Sequence, residues 1–198
     1  MPSKTANPSA RRTELLEAAY QYALRHGLAD LSLRPLAEAI GSSTRVLMFL
    51  FGNKDGLVRA LLERARTEEL ALMARLSQPE RPVGLTTAAQ QVWAWLAVDE
   101  HRPLLRLWAE AYARSLVDPD GPWAGFARST VEDWLDVLAG CQLRAEREAG
   151  EGVVRRTLTL AVLRGALLDL LATGDEKRVT GAVHQQLALL RGAEGTGD

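Results

Sequence analysis

The amino-acid sequence predicts an all-α fold with two parts, an N-terminal three-helix unit and a larger C-terminal helical bundle. Ala, Leu, Arg and Glu dominate the chain, and these residues favour helices. Alternating apolar and polar residues, the pattern of half-buried strands, are hard to find. Glycine, proline and aspartate divide the chain into segments of helical length. With 198 residues and 47% hydrophobic content, the chain can bury one core or two small ones.

The first helix is expected over about residues 11–26. Apolar residues recur there at the spacing i, i+4, i+7 and i+8, which places them on one face of a helix. They are Leu15, Ala19, Tyr22 and Ala23. Gly27 is well placed to end this helix in the left-handed conformation that glycine adopts readily.

Three further helices follow in the N-terminal half of the chain. Ser32 is a favourable N-cap for a second, short helix. Residues 41–43, Gly-Ser-Ser, supply a tight turn and a new cap, so a third short helix is expected over about residues 43–50. Asn53 caps a fourth helix that runs to about Arg75.

Residues 77–84, SQPERPVG, form the clearest linker in the chain. Beyond it, VDPDGP, EAGEG and TGD separate further segments of helical length. Helices are expected there over about residues 85–98, 101–117, 122–149, 153–173 and 176–191.

Composition excludes several classes of protein. The net charge of −1 gives no global attraction to nucleic acid or membrane, so any polyanion site must be local. Cys141 is the only cysteine, which excludes an intrachain disulfide and suits a reducing cytoplasm. His26, His101 and His184 lie far apart, without the spacing of a metal site. No apolar run or signal sequence indicates a membrane span or export. We expect a cytoplasmic protein without metal or cofactor.

Catalytic motifs are also missing from the sequence. There is no nucleophile elbow, phosphate-binding loop or Cys-His arrangement. Glu132, Asp133 and Asp136 share one predicted helix, where a solvated face is the simpler interpretation. We therefore do not expect an enzyme.

The segment GSSTRVLMFLFGNKDGL, residues 41–57, carries the most specific pattern in the chain. Two short helices joined by a glycine-containing turn are typical of a helix-turn-helix motif, whose second helix enters the DNA major groove. The polar start of that helix, Ser43, Thr44 and Arg45, would face the groove. Arginine is the commonest reader of guanine edges. The apolar block from Val46 to Phe51 would hold the helix against the first two.

Residues 11–65 resemble the DNA-binding domain of the tetracycline-repressor (TetR) family of bacterial regulators. The resemblance begins at the basic pair Arg11-Arg12 and continues through ELLEAAYQYALRHGLADLSLRPLAEAIGSS. It closes in the segment FGNKDGL, which is similar to the family's Phe-Gly-Ser-Lys-Glu-x-Leu. The stretch LTLAVLRGALLDLLATGDEKRVTGAV, residues 158–183, is loosely similar to the last two helices of many members.

The resemblance implies a homodimer, a palindromic DNA operator and a C-terminal domain whose small-molecule ligand releases the DNA. By position, Ser32, Arg34 and Lys54 would contact phosphate, and Thr44 and Arg45 would contact bases. The residues expected at the DNA are Arg11, Arg12, Ser32, Arg34, Ser43, Thr44, Arg45, Phe49 and Lys54.

One part of the pattern departs from the family. Where many members place tyrosine or histidine, this chain has Met48, Phe49 and Leu50. Met48, Phe49 and Leu50 cannot make the polar contacts of tyrosine or histidine, which leaves three interpretations open. DNA binding leans on the basic residues, or Phe49 or Leu50 contacts sugars or a thymine methyl group, or the chain is a ligand-binding or interaction module that has lost specific DNA binding.

The larger part of the chain carries all five tryptophans, which are Trp93, Trp95, Trp108, Trp123 and Trp134. Indoles often serve only as core, but this group would also suit a cavity for a flat, largely apolar ligand. The residues predicted to line such a cavity are Trp93, Trp108, Tyr112, Trp134 and Cys141.

Residues 153–173 are apolar nearly all round, which is unusual for a helix of a small monomeric bundle. Ala161 and Gly165 are small and lie four residues apart, so they would let a partner helix approach closely. Together with the last helix, this segment predicts a dimer interface of four helices, two from each chain, related by a two-fold axis. The predicted interface residues are Leu160, Ala161, Gly165, Leu168, Val183, Leu187 and Leu190. The alternative is that the segment is the buried centre of a monomer.

Together these patterns predict a helix-turn-helix DNA-binding domain over residues 1–56 and a helical ligand-binding and dimerisation domain over residues 57–198. Residues 1–56 hold seven Lys/Arg against five Asp/Glu, a net charge of +2. The expected function is a TetR-type transcriptional regulator, a repressor that leaves its palindromic operator when a small, largely apolar ligand binds.

Overall fold

The computed structural model describes residues 8–28, 31–76 and 82–194, and within these ranges the chain forms helices and no strand. The predicted all-α fold is confirmed. The helices are α1 Pro8–His26, α2 Leu33–Ala39, α3 Thr44–Phe51, α4 Lys54–Leu76, α5 Leu85–Leu96, α6 Arg102–Val117, α7 Phe126–Cys141, α8 Arg144–Glu148, α9 Gly150–Thr173 and α10 Glu176–Glu194. A single 3-10 turn, Asp99–His101, precedes α6.

The chain divides into two compact units, each made of two separate stretches of sequence. The first unit comprises Met1–Glu68 together with Arg106–Ala127. The second comprises Glu69–Leu105 together with Arg128–Asp198. The first unit therefore contains the three N-terminal helices, the start of α4 and most of α6.

Local capping chemistry sets the helix ends in the first unit. Gly27 adopts φ +78°, and its N–H donates to the carbonyl oxygen of Ala23 at 2.8 Å, as expected for a residue that ends α1. Asn53 caps α4 as predicted, because its Oδ1 accepts the N–H of Gly56 at 2.8 Å. Ser32 occupies the predicted N-cap of α2, but its side chain makes no capping hydrogen bond.

The core of the first unit forms where α1 packs against its neighbours. The buried side chains of α1 are Leu15, Ala19, Tyr20 and Ala23. The predicted face named Tyr22 in place of Tyr20. That prediction is wrong because the apolar face continues at i+5, and the ring of Tyr22 instead stacks on His26 at 4.0 Å between centroids.

A polar cluster joins α1 to α4 beside this core. Arg64 Nε donates to Glu17 Oε2 at 2.8 Å, and its guanidinium carbon lies 4.7 Å from the ring centroid of Tyr20. The hydroxyl of Tyr20 donates to Glu68 Oε2 at 3.0 Å. The hydrogen bond from Arg64 lowers the pKa of the Glu17 carboxyl, and burial raises the pKa of Tyr20.

A carboxylate from α6 forms a hydrogen bond just beyond the C-terminal end of α1. Glu110 Oε2 accepts the N–H of Leu28 at 2.9 Å, one residue after the glycine that ends the helix. Leu28 is buried, so this donor has no access to water. The contact ties α6 to the loop between α1 and α2.

Two predicted boundaries in the second half of the chain are wrong. The helix expected over 122–149 begins at Phe126 and ends at Cys141. Residues 122–125 form turns that end at Gly125, which has φ +76°. After Cys141 the chain extends at Leu143, with ψ 149°, before the short helix α8.

The glycine-containing segment EAGEG was predicted to separate two helices, yet α9 begins within it at Gly150. The break is at Ala149, whose ψ of 140° is extended. Gly152 lies inside the helix, where a Cβ atom would collide with the carbonyl oxygen of Glu146. This glycine permits a close approach between α8 and α9 and does not end a helix.

In the second unit, α5, α9 and α10 pack on one another. Their buried apolar residues include Val92, Trp93, Leu163, Leu167, Leu170, Val179, Val183 and Leu187. Arg178 of α10 forms a two-pronged ion pair with Asp169 of α9, at 2.8 Å and 2.6 Å. In the described ranges, no helix is long and apolar enough to cross a bilayer, and no cluster of ligating side chains is arranged to hold a metal ion.

Candidate DNA-binding surface

A tight turn sets the relation between α2 and α3. Gly41 adopts φ +62°, and the N–H of Ser42 donates to the carbonyl oxygen of Ala37 at 2.8 Å. Leu36 of α2 is buried, as are Leu47 and Phe51 of α3. The two residues of α3 are four apart and lie on one side of the helix. The opposite side of α3 is therefore presented to solvent.

The exposed side of α3 starts with polar residues and continues with apolar ones. Thr44 and Arg45 are exposed at its first turn. Met48 is 50% exposed and Phe49 is 82% exposed, and Val46 is also on the surface. The prediction that the whole apolar block holds α3 down is wrong, because one side of an eight-residue helix can bury only Leu47 and Phe51.

Ser43 has a structural task at the start of α3. Its Oγ accepts the N–H of Val46 at 3.3 Å, so the hydroxyl acts as the N-cap. This use of Ser43 as an acceptor helps to fix the first turn of the helix. Thr44 and Arg45 follow directly and are held in place by that turn.

The predicted cations lie on α1 to α4 and differ in their surroundings. Arg45 and Lys54 are exposed, and within the described ranges neither forms an ion pair. Arg11 pairs with Glu14 at 2.8 Å and Arg34 pairs with Glu38 at 3.2 Å, both on the surface. Arg12 lies over the ring of Phe51, 5.0 Å from its centroid. Surface pairs of this kind are weak, so phosphate can compete for the arginines.

Two other predicted contact residues lie at helix starts. Ser32 is exposed immediately before α2, and its hydroxyl is not used as a cap. Lys54 is the first residue of α4, where helical N–H groups and a positive charge together favour an anion. Asp55 follows it and reduces the local positive charge.

The residues predicted to bind a ligand are distributed over both units. Trp108 and Tyr112 belong to the first unit, and Trp93, Trp134 and Cys141 belong to the second. The indole N–H of Trp93 donates to Thr180 Oγ1 at 3.1 Å, and that of Trp134 donates to Glu69 Oε1 at 2.7 Å.

These residues also differ in what their polar atoms contact. The rings of Trp108 and Tyr112 lie 5.1 Å apart, and the buried indole nitrogen of Trp108 has no hydrogen-bond partner within the described ranges. Cys141 is buried, and burial raises the pKa of its thiol. The unpaired donor distinguishes Trp108 from Trp93 and Trp134.

The predicted dimer residues fall into a buried set and an exposed set. Leu160, Val183, Leu187 and Leu190 are buried within the second unit of a single chain. Exposed residues of α9 form a continuous line, the α9 stripe, made of Val154, Leu158, Ala161, Gly165 and Leu168. Two members of this stripe and Leu189 of α10, which is 62% exposed, were missed by the sequence prediction. The spacing of four, three, four and three residues could have found the stripe.

Comparison with known proteins relates this arrangement to a family of regulators. Residues 15–61 match the model of bacterial regulatory proteins of the tetR family. The chain is 28% identical over 185 residues to the HTH-type transcriptional repressor Rv1474c of Mycobacterium tuberculosis, covering 88% of this chain and 89% of that protein. Over 75 residues it is 33% identical to the HTH-type transcriptional regulator BetI of Stenotrophomonas maltophilia, which is 38% of each protein.

Solved structures share the fold over most of the chain. The multidrug binding protein EbrR, in complex with imidazole, is 25% identical and superposes with a TM-score of 0.61 over 88% of both chains. A TetR transcription regulator from Haloarcula marismortui, 18% identical, has the same fold with a TM-score of 0.69 and covers 89% of this chain and 94% of its own. Residues 15–61 therefore match the DNA-binding region of the tetR family of bacterial regulatory proteins, and most of the chain is similar to DNA-binding transcriptional regulators and not to enzymes.

Proposed function

We propose that the protein is a homodimeric repressor that binds a palindromic operator and leaves it when a small, largely apolar ligand binds. The observation that carries this proposal is the presentation of α3. Leu47 and Phe51 hold the helix by one side, and Thr44 and Arg45 stand exposed at its first turn. That is the arrangement in which a recognition helix reads the major groove.

Contacts with DNA divide into reading and positioning. Arg45 would read guanine and Thr44 would contact a neighbouring base edge, while Lys54 and Ser32 would hold phosphates at the starts of two helices. Arg11, Arg12 and Arg34 would add phosphate contacts by exchanging weak surface partners for the DNA backbone. Ser43 would act through the cap that fixes the first turn of α3.

The α9 stripe supports a two-fold dimer. Its central members, Ala161 and Gly165, carry almost no side chain and would let two helices approach closely. Leu158 and Leu168 flank them and would bury apolar surface that is exposed in one chain. A two-fold axis also matches a palindrome, whose half-sites are read in successive major grooves about 34–36 Å apart.

The effector is proposed to be a small aromatic or apolar molecule. EbrR has been solved with imidazole and with proflavin, and SmeT, which shares the fold, has been solved with triclosan. In this chain, Trp108 offers an indole N–H without a partner within the described ranges, beside the ring of Tyr112. Trp93 and Trp134 already use their indole N–H groups and serve the core. The ligand would release DNA by binding the DNA-free conformation more tightly.

A second candidate function rests on Met48, Phe49 and Leu50. They replace the polar residues of the family pattern, so the chain could retain the fold as a ligand-binding or interaction module without specific DNA binding. The two functions predict opposite results in one experiment on DNA.

As a regulator of transcription, the protein would act in the cytoplasm, where the chromosome lies.

The test is selection of bound duplexes from a random DNA pool at moderate salt, followed by sequencing. Enrichment of a palindrome with half-sites about one helical turn apart supports the proposed repressor and its two-fold dimer. Arg45→Ala should then lose discrimination at one base position, whereas Lys54→Ala should weaken all sequences equally and lower the salt dependence by about one ion. An unenriched pool from folded dimer, repeated at low salt, would favour the second candidate.

A further inference from the structure

The DNA-reading side of α3 carries an apolar surface that nothing in the described parts of the chain covers. Phe49 is 82% exposed and Met48 is 50% exposed, and both lie one turn beyond the polar residues at the start of the helix. Exposure of a whole phenyl ring to water is unfavourable, because its apolar surface gains free energy when it is removed from water. The ring is therefore suited to contact with a partner.

The charges around this surface identify the class of partner. Arg45 and Lys54 are exposed on either side of it along the chain, and Arg34 stands exposed on the preceding helix. A cationic frame around an apolar centre is complementary to a polyanion that also presents an apolar group. In the major groove of DNA the base edges present one such group, the C5-methyl of thymine.

The helical spacing relates the apolar surface to the reading residues. Arg45 and Phe49 are four residues apart, as are Thr44 and Met48, so the two pairs form adjacent rows on one side of α3. Four residues of helix rise about 6 Å, which is close to two base-pair steps of about 3.4 Å. A base contacted by Phe49 would thus lie within about two base pairs of the one contacted by Arg45.

We propose that Phe49, flanked by Met48, reads thymine through its C5-methyl group, within two base pairs of the guanine read by Arg45. This inference rests on the proposed function, because it requires α3 to enter the major groove. It gives the operator a specific chemical feature, a thymine whose methyl group and not its hydrogen-bonding groups determines recognition. Phe49 and Met48, which replace polar side chains of the family pattern, then recognise a methyl group and not a hydrogen-bonding group.

The experiment replaces thymines of the selected operator, one position at a time, by deoxyuridine. Deoxyuridine keeps every hydrogen-bonding group and lacks only the methyl group. At the thymine read by Phe49, loss of one buried methyl group corresponds to about fourfold weaker binding, and to about fifteenfold when both half-sites are changed. Substitution at thymines outside the contacted positions should leave the dissociation constant unchanged.

Two variants assign the effect to a residue. Phe49→Ala should bind thymine and deoxyuridine operators equally, with unchanged salt dependence, and it should fold because Phe49 contributes little to the core. Arg45→Ala should bind more weakly but retain the preference for thymine. Circular dichroism and thermal unfolding confirm that both variants are folded.

The possible failures are distinguishable. If the folded dimer enriches no sequence and binds no duplex even at low salt, the proposed function fails. If the operator is bound but every thymine tolerates deoxyuridine, this inference alone fails. If the preference for thymine persists in Phe49→Ala, another residue reads the methyl group and the assignment to Phe49 is overturned.

Discussion

Glu110→Ala should destabilise the protein, because within the described ranges Glu110 supplies the one acceptor for a buried backbone N–H. Glu110 Oε2 lies 2.9 Å from the nitrogen of Leu28, which is 1% exposed and directly follows the glycine that ends α1. Without the carboxylate, this donor stays buried and has no other acceptor in the part of the chain that the structure describes. Hydrogen bonds to charged groups contribute about 1.5–3 kcal/mol, and an unsatisfied buried donor costs a similar amount.

The expected loss is about 2 kcal/mol, taken as the middle of that range because the variant places a favourable helix former in α6. For a chain of this size, a loss of this magnitude lowers the melting temperature by roughly 4–8 °C. Thermal and urea unfolding followed by circular dichroism would measure it. Near-ultraviolet signals would test whether the two units unfold together, since a single free energy is defined only if they do.

Glu110→Gln and Arg114→Ala are the matched controls. Glutamine retains an oxygen that can accept the N–H of Leu28, so it should lose less than half as much stability as alanine. Arg114 lies on the same helix and is exposed, so its replacement should change stability by less than about 0.5 kcal/mol. A Glu110→Ala variant as stable as the wild type would refute the role given to this hydrogen bond.

Three further predictions concern other parts of the molecule. Leu168→Glu in the α9 stripe should convert the proposed dimer to monomers in sedimentation experiments without loss of helix content. Leu116→Glu, at a still more exposed leucine of the first unit, should leave the dimer intact, and unchanged sedimentation of Leu168→Glu would contradict the interface. Cys141 should resist thiol reagents at neutral pH until the protein unfolds, because it is buried and burial raises its pKa; rapid labelling of the native protein would show that the site opens. The lowered pKa of Glu17 means that its ion pair with Arg64 stabilises the protein above pH 4.5, the ordinary carboxyl pKa, and that this contribution disappears as the pH falls through the folded-state pKa. Glu17→Gln should therefore flatten the acid side of the stability profile by less than about 1 kcal/mol, since the pair is partly exposed, and an unchanged profile would contradict the pairing.

The parts of the fold that sequence could predict are those fixed by local chemistry. Gly27 ends α1 and Asn53 caps α4 through bonds to atoms a few residues away, so residue type and position were enough. The helix-turn-helix pattern was likewise predictable, because its turn and its buried residues lie within one short segment. The family model covers the same region, over residues 15–61.

The errors arise where distant contacts override local preference. The segment EAGEG predicts a break between helices, but its last residue, Gly152, lies within α9, where the backbone of Glu146 leaves no room for a Cβ atom. The choice of Tyr20 over Tyr22 depends on Arg64 and Glu68, which come from another helix. Val46, Met48 and Phe49 were expected to pack because they are apolar, and hydrophobicity alone cannot tell a buried side of a short helix from one kept for a partner.

The hydrogen bond between Leu28 and Glu110 also bears on how the chain matures during synthesis. The helix-turn-helix leaves the ribosome early, but the stretch that completes its compact unit, Arg106–Ala127, is translated only after the intervening 69–105. At bacterial elongation rates of about 5–20 residues per second, this interval lasts several seconds. Nascent chains ending before residue 110 lack the acceptor for Leu28, so a truncated translation product would carry the recognition helix on an incompletely stabilised support. The chain should thus acquire DNA binding late in translation, although the helix-turn-helix segment is translated first.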